Sequence, residues 1–484
     1  MWIQVVIGAV ILGTYIYHRL TDHPYSPQAT QIKVPQVAQG TPVPLLYGRC
    51  RIRASVLVWT ANFLHPGQVF TRVFDLSTGT ADHYSLDTLF VLGVPFYGGG
   101  TTVLFRGWAG DADLSISLPP NSTGPFAGGD LSGSTSNLTV DGICAPGVAI
   151  QDAAALAPVT GSTTYHDGVS YNIATNFAGA VFQSGAGTGL VPGYRNQMVM
   201  YMHVGLGLSA DVPSFSWEVG ALSTGSASDM GQSLASEADP AAVLYDLLTS
   251  PWGKLAIPAS FVEKSTFQAA SLTLFNENHG YSRCIDQAED ADSIIQDILK
   301  QIDGVMYPEP TTGKIELHLV RNDYVVGDLV DINPSNATLT DYSVQSWSEM
   351  PNQVRLMWTS RLENYSDAVA LAQNMSAAIG GGNRLRSVTI QYKGCCTAAL
   401  AQTLASRELA VISRPLAKAT VECNREFYQA RPGSVYTLTM PELGISGMVM
   451  RVGRVNLGQL HQNKITLSLI RDVFDTTLGA FPPP

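Results

Sequence analysis

Residues 45–63 (LLYGRCRIRASVLVWTANF) alternate apolar with polar positions and are rich in Val, Ile and aromatic residues, a pattern that predicts strands. From about 66 to 225, short apolar runs such as VFTRVF, DTLFVLGVPFY and NQMVMYMHVGL stand between Gly, Ser and Thr. That rhythm predicts many short strands joined by polar loops. Residues 119–190 have the most loop-like composition and read as an insertion, and YGGG at 97–100 reads as a hairpin turn.

The period changes near residue 239. In DPAAVLYDLLTS (239–250), Asp239 is placed to cap, Pro240 sits at the first helical position, and Val243, Leu244, Leu247 and Leu248 share a face. A second helix is predicted over 289–304, with Ile294, Ile295, Ile298, Leu299 and Ile302 on one side and Gly304 at its end. Residues 305–324 read as a hairpin turned at TTG, and 397–414 as a helix capped by Thr397. Four strand-like runs close the chain, at 417–427, 434–440, 446–456 and 463–471. The order β-rich, α+β, β-rich fits barrels or sandwiches around a helical piece and not a doubly wound sheet. The expected division is an apolar N-terminal helix (1–24), a β-rich domain (25–225) with the insertion, an α+β domain (226–345) and a β-barrel-like domain with one helix (346–484).

The N-terminal run WIQVVIGAVILGTYIY (2–17) breaks the pattern, being almost wholly apolar. It is a little short of the ~20 residues that span a bilayer. It lacks the preceding positive charge of a secretory signal. Trp2, Ile3, Val5, Val6, Ile7, Gly8, Val10, Ile11, Leu12, Gly13, Tyr15 and Ile16 are therefore expected to make an assembly or membrane contact, with Gly8, Ala9 and Gly13 allowing close helix approach. A Pro- and Gln-rich linker follows it.

Charge narrows the function classes. Only 14% of the 484 residues are charged, against roughly 25% in a typical soluble domain, and the net charge is −11. Nucleic-acid readers need a basic stripe, and none is visible. The six cysteines (Cys50, Cys144, Cys284, Cys395, Cys396 and Cys423) form no CxxC, and the nine histidines are dispersed, so no metal or cofactor is implied. Asp111/Asp113 and Asp290/Asp292 are the carboxylate pairs. The first sits in a loop and the second at a helix start, where acids are favoured without catalysis. No nucleophile, base and orienter assemble into a catalytic set.

Several phrases, in order, resemble those of the phage tail-tip and baseplate hub family, which takes in the tip-attachment protein of phage lambda and gene-transfer-agent tail hubs. GTPVPLLYGRCRIRASVLVW (40–59) is similar to the family's opening strand and turn. YRNQMVMYMHVGLGLSADVPSFSWEV (194–219) is similar to its Tyr-Arg start and its ending, here Val212, Pro213, Phe215, Trp217, Glu218 and Val219. DPAAVLYDLLTSPWG (239–253), 294–324, NQVRLMWTSR (352–361), GCCTAALAQTLASREL (394–409) and ARPGSVYTL (430–438) complete the set. The departures are the long 119–190 stretch and the end at FPPP (481–484).

The resemblance implies a non-enzymatic structural protein: a homotrimer whose two barrel-like domains per chain make a pseudo-sixfold ring, adapting a sixfold tail tube to a threefold tip. The implied partners are a distal tail protein ring, a tape measure protein and a central fibre or tip protein. DNA would pass through unbound, and contact with a host membrane would be transient. The competing readings are a membrane-anchored surface adhesion protein and a glycan-cleaving enzyme at a tail tip. The neighbouring genes would separate the three.

Overall fold

The computed structural model describes residues 42–53, 55–64, 69–71, 78–80, 84–95, 101–114, 130–134, 139–145, 163–165, 169–171, 197–207, 212–222, 234, 236–251, 254–346, 350–380, 384–458 and 463–475. The expected N-terminal contact residues, Trp2 to Ile16, lie outside them.

The first half is strand-rich, as its alternation predicts. The strands are β1 (Leu45–Ile52), β2 (Val56–Leu64), β3 (Val69–Thr71), β4 (Thr78–Thr80), β5 (Tyr84–Pro95), β6 (Thr101–Ala109) and β7 (Ala112–Leu114). They continue with β8 (Asp130–Ser134), β9 (Thr139–Ala145), β10 (Thr163–Tyr165), β11 (Val169–Tyr171), β12 (Met198–Gly207) and β13 (Phe215–Leu222). Ten strands form one sheet in the order β7-β6-β13-β1-β5-β12-β9-β8, with β2 also paired to β5 and β14 (Arg283–Ile285) to β1. Within 119–190, β9 pairs along β12 and β8 along β9. YGGG (97–100), expected as a hairpin turn, lies outside the described residues; the strands on either side of it, β5 and β6, are not neighbours in the sheet, and β6 pairs with β13.

Helix α1 (Pro240–Thr249) starts as predicted, with the Asp239 carboxylate accepting from the amides of Ala241 and Ala242 at 2.9 and 3.3 Å. Helix α2 (Lys264–Asn276) was not predicted. Its inner face is Phe267, Ala270, Ser271 and Leu274, and the serine interrupts the apolar stripe. Ser271 is tolerated there because its hydroxyl donates to Asp239. Helix α3 (Ala291–Ile302) ends on Asp303, which takes the left-handed conformation (φ 49°) one residue before Gly304. The hairpin of β15 (Gly304–Pro308) and β16 (Ile315–Leu319) follows, turned at Gly313. The ten-stranded sheet, these helices and this hairpin share one core running from Leu46 to Leu317.

The chain then lays down β17 (Asp331–Ile332) and β18 (Ala337–Val344), makes an excursion, and returns for β22 (Ala417–Cys423), β23 (Val435–Met440), β24 (Ile445–Asn456) and β25 (Ile465–Arg471). Their order is β17-β23-β24-β25-β22-β18. Only four residues separate β17 from β18, yet they are the two edges. The sheet must therefore curl, giving a half-barrel around Ile332, Val421, Leu438, Met450 and Leu467. The excursion is β19 (Gln353–Ser360), β20 (Ser366–Gln373), helix α4 (Met375–Gly380), β21 (Ser387–Gln391) and helix α5 (Ala398–Ile412). Leu400, Ala401, Leu404 and Ala405 of α5 pack on Val354, Leu356, Ala370 and Ala372. Thr397 stands at the α5 N-cap without the side-chain cap bond expected of it.

Candidate functional site

Strand β1 reads RCRIR over 49–53, and its period of two places Arg49 and Arg51, with Arg53 just beyond the strand, on one face. That face meets the excursion. β1 can do this because Gly48 bends it (φ 62°), so that residues 45–47 pair with β14 and 48–52 with β13. A Cβ at Gly48 would lie 2.4 Å from the Tyr281 carbonyl oxygen and the Ser282 hydroxyl, which leaves no room for another residue.

Arg49 reaches Glu218 of β13, its Nε 2.7 Å from Oε1, and lies 3.9 Å over the Phe105 ring. Phe105 lies flat there because Gly220, opposite Arg49 in the register, has no side chain. Arg51 donates from Nε and Nη2 to the Ser216 hydroxyl at 3.2 and 2.8 Å and covers the Trp108 ring at 4.0 Å. Strand β13 is thus buried on both faces: Phe215, Trp217, Val219 and Ala221 in the core, Ser216 and Glu218 under arginines.

The tip of the β19–β20 hairpin docks on this ladder. Arg51 Nη1 donates to the Asn364 carbonyl at 3.3 Å, and Arg53 Nη2 to the Tyr365 carbonyl at 2.9 Å. The Tyr365 hydroxyl donates to Glu218 Oε1 at 2.7 Å. Asn364 and Tyr365 both take left-handed conformations (φ 54° and 62°), a costly choice for tyrosine that its bond to Glu218 offsets. Burial, then the Glu218 charge, pushes the Tyr365 phenol far up, so it stays a neutral donor. Beside it, Arg361 Nη2 lies 3.1 Å from Glu237.

Between β1, β14 and the excursion lies a cleft of about 250 Å³ whose lining includes Arg51, Arg53, Cys284, Trp358, Tyr365 and Lys393. Cys50 and Cys396 border it too. A hydrogen bond to Cys284, followed by burial, pushes the Cys50 thiol up, and burial takes the Cys395 and Cys396 thiols up to about 12. Thiols held this high are poor nucleophiles at neutral pH.

The acids singled out from sequence lie elsewhere. Asp113 pairs with Arg106 at 2.7 Å on an exposed surface, and Asp111 sits in the adjoining turn. Asp290 and Asp292 occupy the N-cap and first turn of α3. Among the described residues no group of His, Cys, Asp or Glu could hold a metal ion. Among them no helix is long and apolar enough to cross a membrane. The arginine ladder was missed in the sequence, although alternating arginines in a strand were its signal.

Residues 290–455 match the family of putative phage tail proteins, so this part of the chain carries the phage tail family's sequence signature. No curated protein matches the chain. A protein in the virion of a native gene transfer agent particle shares the fold with a TM-score of 0.56, at 14% identity and with 97% of each chain covered. A tail protein from Neisseria meningitidis MC58 aligns at 11% identity over 88% of this chain and 92% of its own, with a TM-score of 0.34. A 43 kDa tail protein of prophage MuSo2 from Shewanella oneidensis aligns at 12% identity over 76% and 98%, with a TM-score of 0.29.

Proposed function

We propose that this chain is a structural hub of a phage-like tail tip, built into the particle and carrying out no turnover. One observation carries the reading: a phage tail signature over 290–455 lies within a fold shared from end to end with a chain of a gene transfer agent virion. In this reading three copies form a ring that adapts a sixfold tail tube to a threefold tip. A distal tail protein ring sits above it, the tape measure protein within, and a central fibre or tip protein below.

The physical features support a load-transmitting part. The half-barrel is tied to the core by ion pairs, among them Arg431 to Glu309 at 2.6 Å, and by Arg451, which donates to the Arg321 carbonyl at 2.9 Å. The hairpin tip at 361–365 ties the excursion to β1. A net charge of −11 lets DNA pass without being held, since few phosphates would be neutralised. Residues 2–17 would form helices meeting near the threefold axis and touch the host membrane when DNA is delivered.

Deleting residues 2–17 tests the scheme. The shortened chain should remain soluble and trimeric by light scattering, while particles carrying it fail to complete tails or deliver DNA. Fully infectious particles built from the shortened chain would overturn the role given to this segment. A purified particle without this protein would overturn the hub itself.

A further inference from the structure

Of the three arginines on the β1 ladder, only Arg49 meets a carboxylate. Arg51 donates to a serine hydroxyl and a backbone carbonyl, and Arg53 to a backbone carbonyl. Among the described residues neither forms an ion pair. A guanidinium has five N–H donors, so two on Arg51 and four on Arg53 are left over. The surroundings sharpen this. Burial, followed by the neighbouring charges of Arg53 and Arg106, outweighs the opposing pull of Asp111 and holds the Arg51 guanidinium below its ordinary range. Arg106 is itself satisfied by Asp113. Arg51 is thus a partly buried cation beside an exposed one, Arg53, and neither is paired with a carboxylate among the described residues.

Both arginines line the 250 Å³ cleft. Arg283 and Lys393 also line it, already engaged by Glu289 at 2.6 and 3.4 Å. Asp286 and Asp367 are the carboxylates of the lining, and neither pairs with Arg51 or Arg53. With Arg283 and Lys393 held by Glu289 and by Asp297 at 3.8 Å, Arg51 and Arg53 are the cations of the lining that meet no carboxylate among the described residues. The volume suits a side-chain-sized group and is far too small for a nucleic-acid duplex.

We propose that this cleft is a seat for a small oxyanion, a carboxylate or phosphate group, gripped by Arg51 and Arg53. Planar guanidinium forks match such groups in a two-pronged geometry. An acidic side chain of a neighbouring protein copy and free phosphate present the same chemistry. Occupied, the seat would neutralise the ladder and tighten the hairpin tip against β1. This inference stands on the geometry of the cleft alone and does not depend on the tail-tip reading.

The test uses the full chain, with inorganic phosphate and N-acetylglutamate as probes, each titrated by calorimetry and thermal melting against sodium chloride of equal ionic strength. At least one probe should bind and raise the melting temperature where chloride does not. Binding of N-acetylglutamate alone would identify a protein side chain as the source, and of phosphate alone the free ion. Arg53→Gln, which removes a single bond from an exposed side chain and should keep the fold, should weaken binding at least about tenfold, the loss expected for one charge-assisted hydrogen bond. Arg51→Gln should do the same if it folds. A response equal to that of chloride would overturn the proposal, as would undiminished binding by folded Arg53→Gln.

Discussion

Glu218 shows what one buried carboxylate can organise. Its side chain is 1% exposed, and its Oε1 takes both the Arg49 and the Tyr365 bonds while Oε2 has no hydrogen-bond partner. Removing Arg49 would leave a buried charge served only by a phenol. Breaking buried pairs in this way costs about 3–5 kcal/mol. Arg49 is 24% exposed, which places Arg49→Ala near the lower end of that range. The expected outcome in urea unfolding is a loss of about 3 kcal/mol, partly recovered in the double variant with Glu218→Gln, because the charge is then gone. A loss under about 1 kcal/mol, the level of a surface pair, would show that the ladder contributes little. The same reasoning explains why Tyr365 accepts a left-handed backbone: the hydroxyl has one place to go, and the turn is bent to bring it there.

At the scale of elements, the seams between packed units are made by ion pairs. Arg431, on the half-barrel side, gives Nε and Nη2 to the two oxygens of Glu309 at 2.7 and 2.6 Å, at the end of the β15–β16 hairpin. Those bonds draw the Glu309 carboxyl down to about 2. A depressed carboxylate adds stability that is full above its ordinary value, near 4.5, and drains away as pH falls towards 2. Glu309→Gln should therefore be less stable than the native chain at pH 7 and lose less on acidification across that window, as urea midpoints at several pH values would show. Parallel slopes for the two proteins would remove this seam from the account.

The elements themselves were largely legible. Regular 3.6-residue stripes gave α1 and α3, alternation gave β1, and short apolar or strand-like runs gave β12 and the four closing strands. Where a polar residue had a private partner, the pattern failed: Ser271 bonds to Asp239 and so hides α2. The three-stranded excursion was legible only as a resemblance over 352–361 and 394–409, because β20 carries apolar residues on exposed positions, Val369 and Leu371, as well as on buried ones. The ladder was written in the strand, but its meaning was not. No local pattern says that a turn more than 300 residues further on will dock there.

On the scale of the whole molecule, the shared core from Leu46 to Leu317 ties the strand-rich first half to the helices, and the half-barrel gathers β17 and β18 with strands beyond residue 417. Such interleaving makes each unit depend on others for its burial, which suits a part that must hold its shape within a larger assembly. The composition points the same way: 14% charged residues leave much surface that partner subunits would cover. A three-dimensional reconstruction of the intact particle, calculated without imposed symmetry, tests the central claim most directly. The account predicts three copies of this fold closing one end of the tail tube around a lumen that is neutral or acidic. Finding the chain as a monomer off the tail axis, or around a lumen lined by a continuous stripe of lysine and arginine, would contradict it.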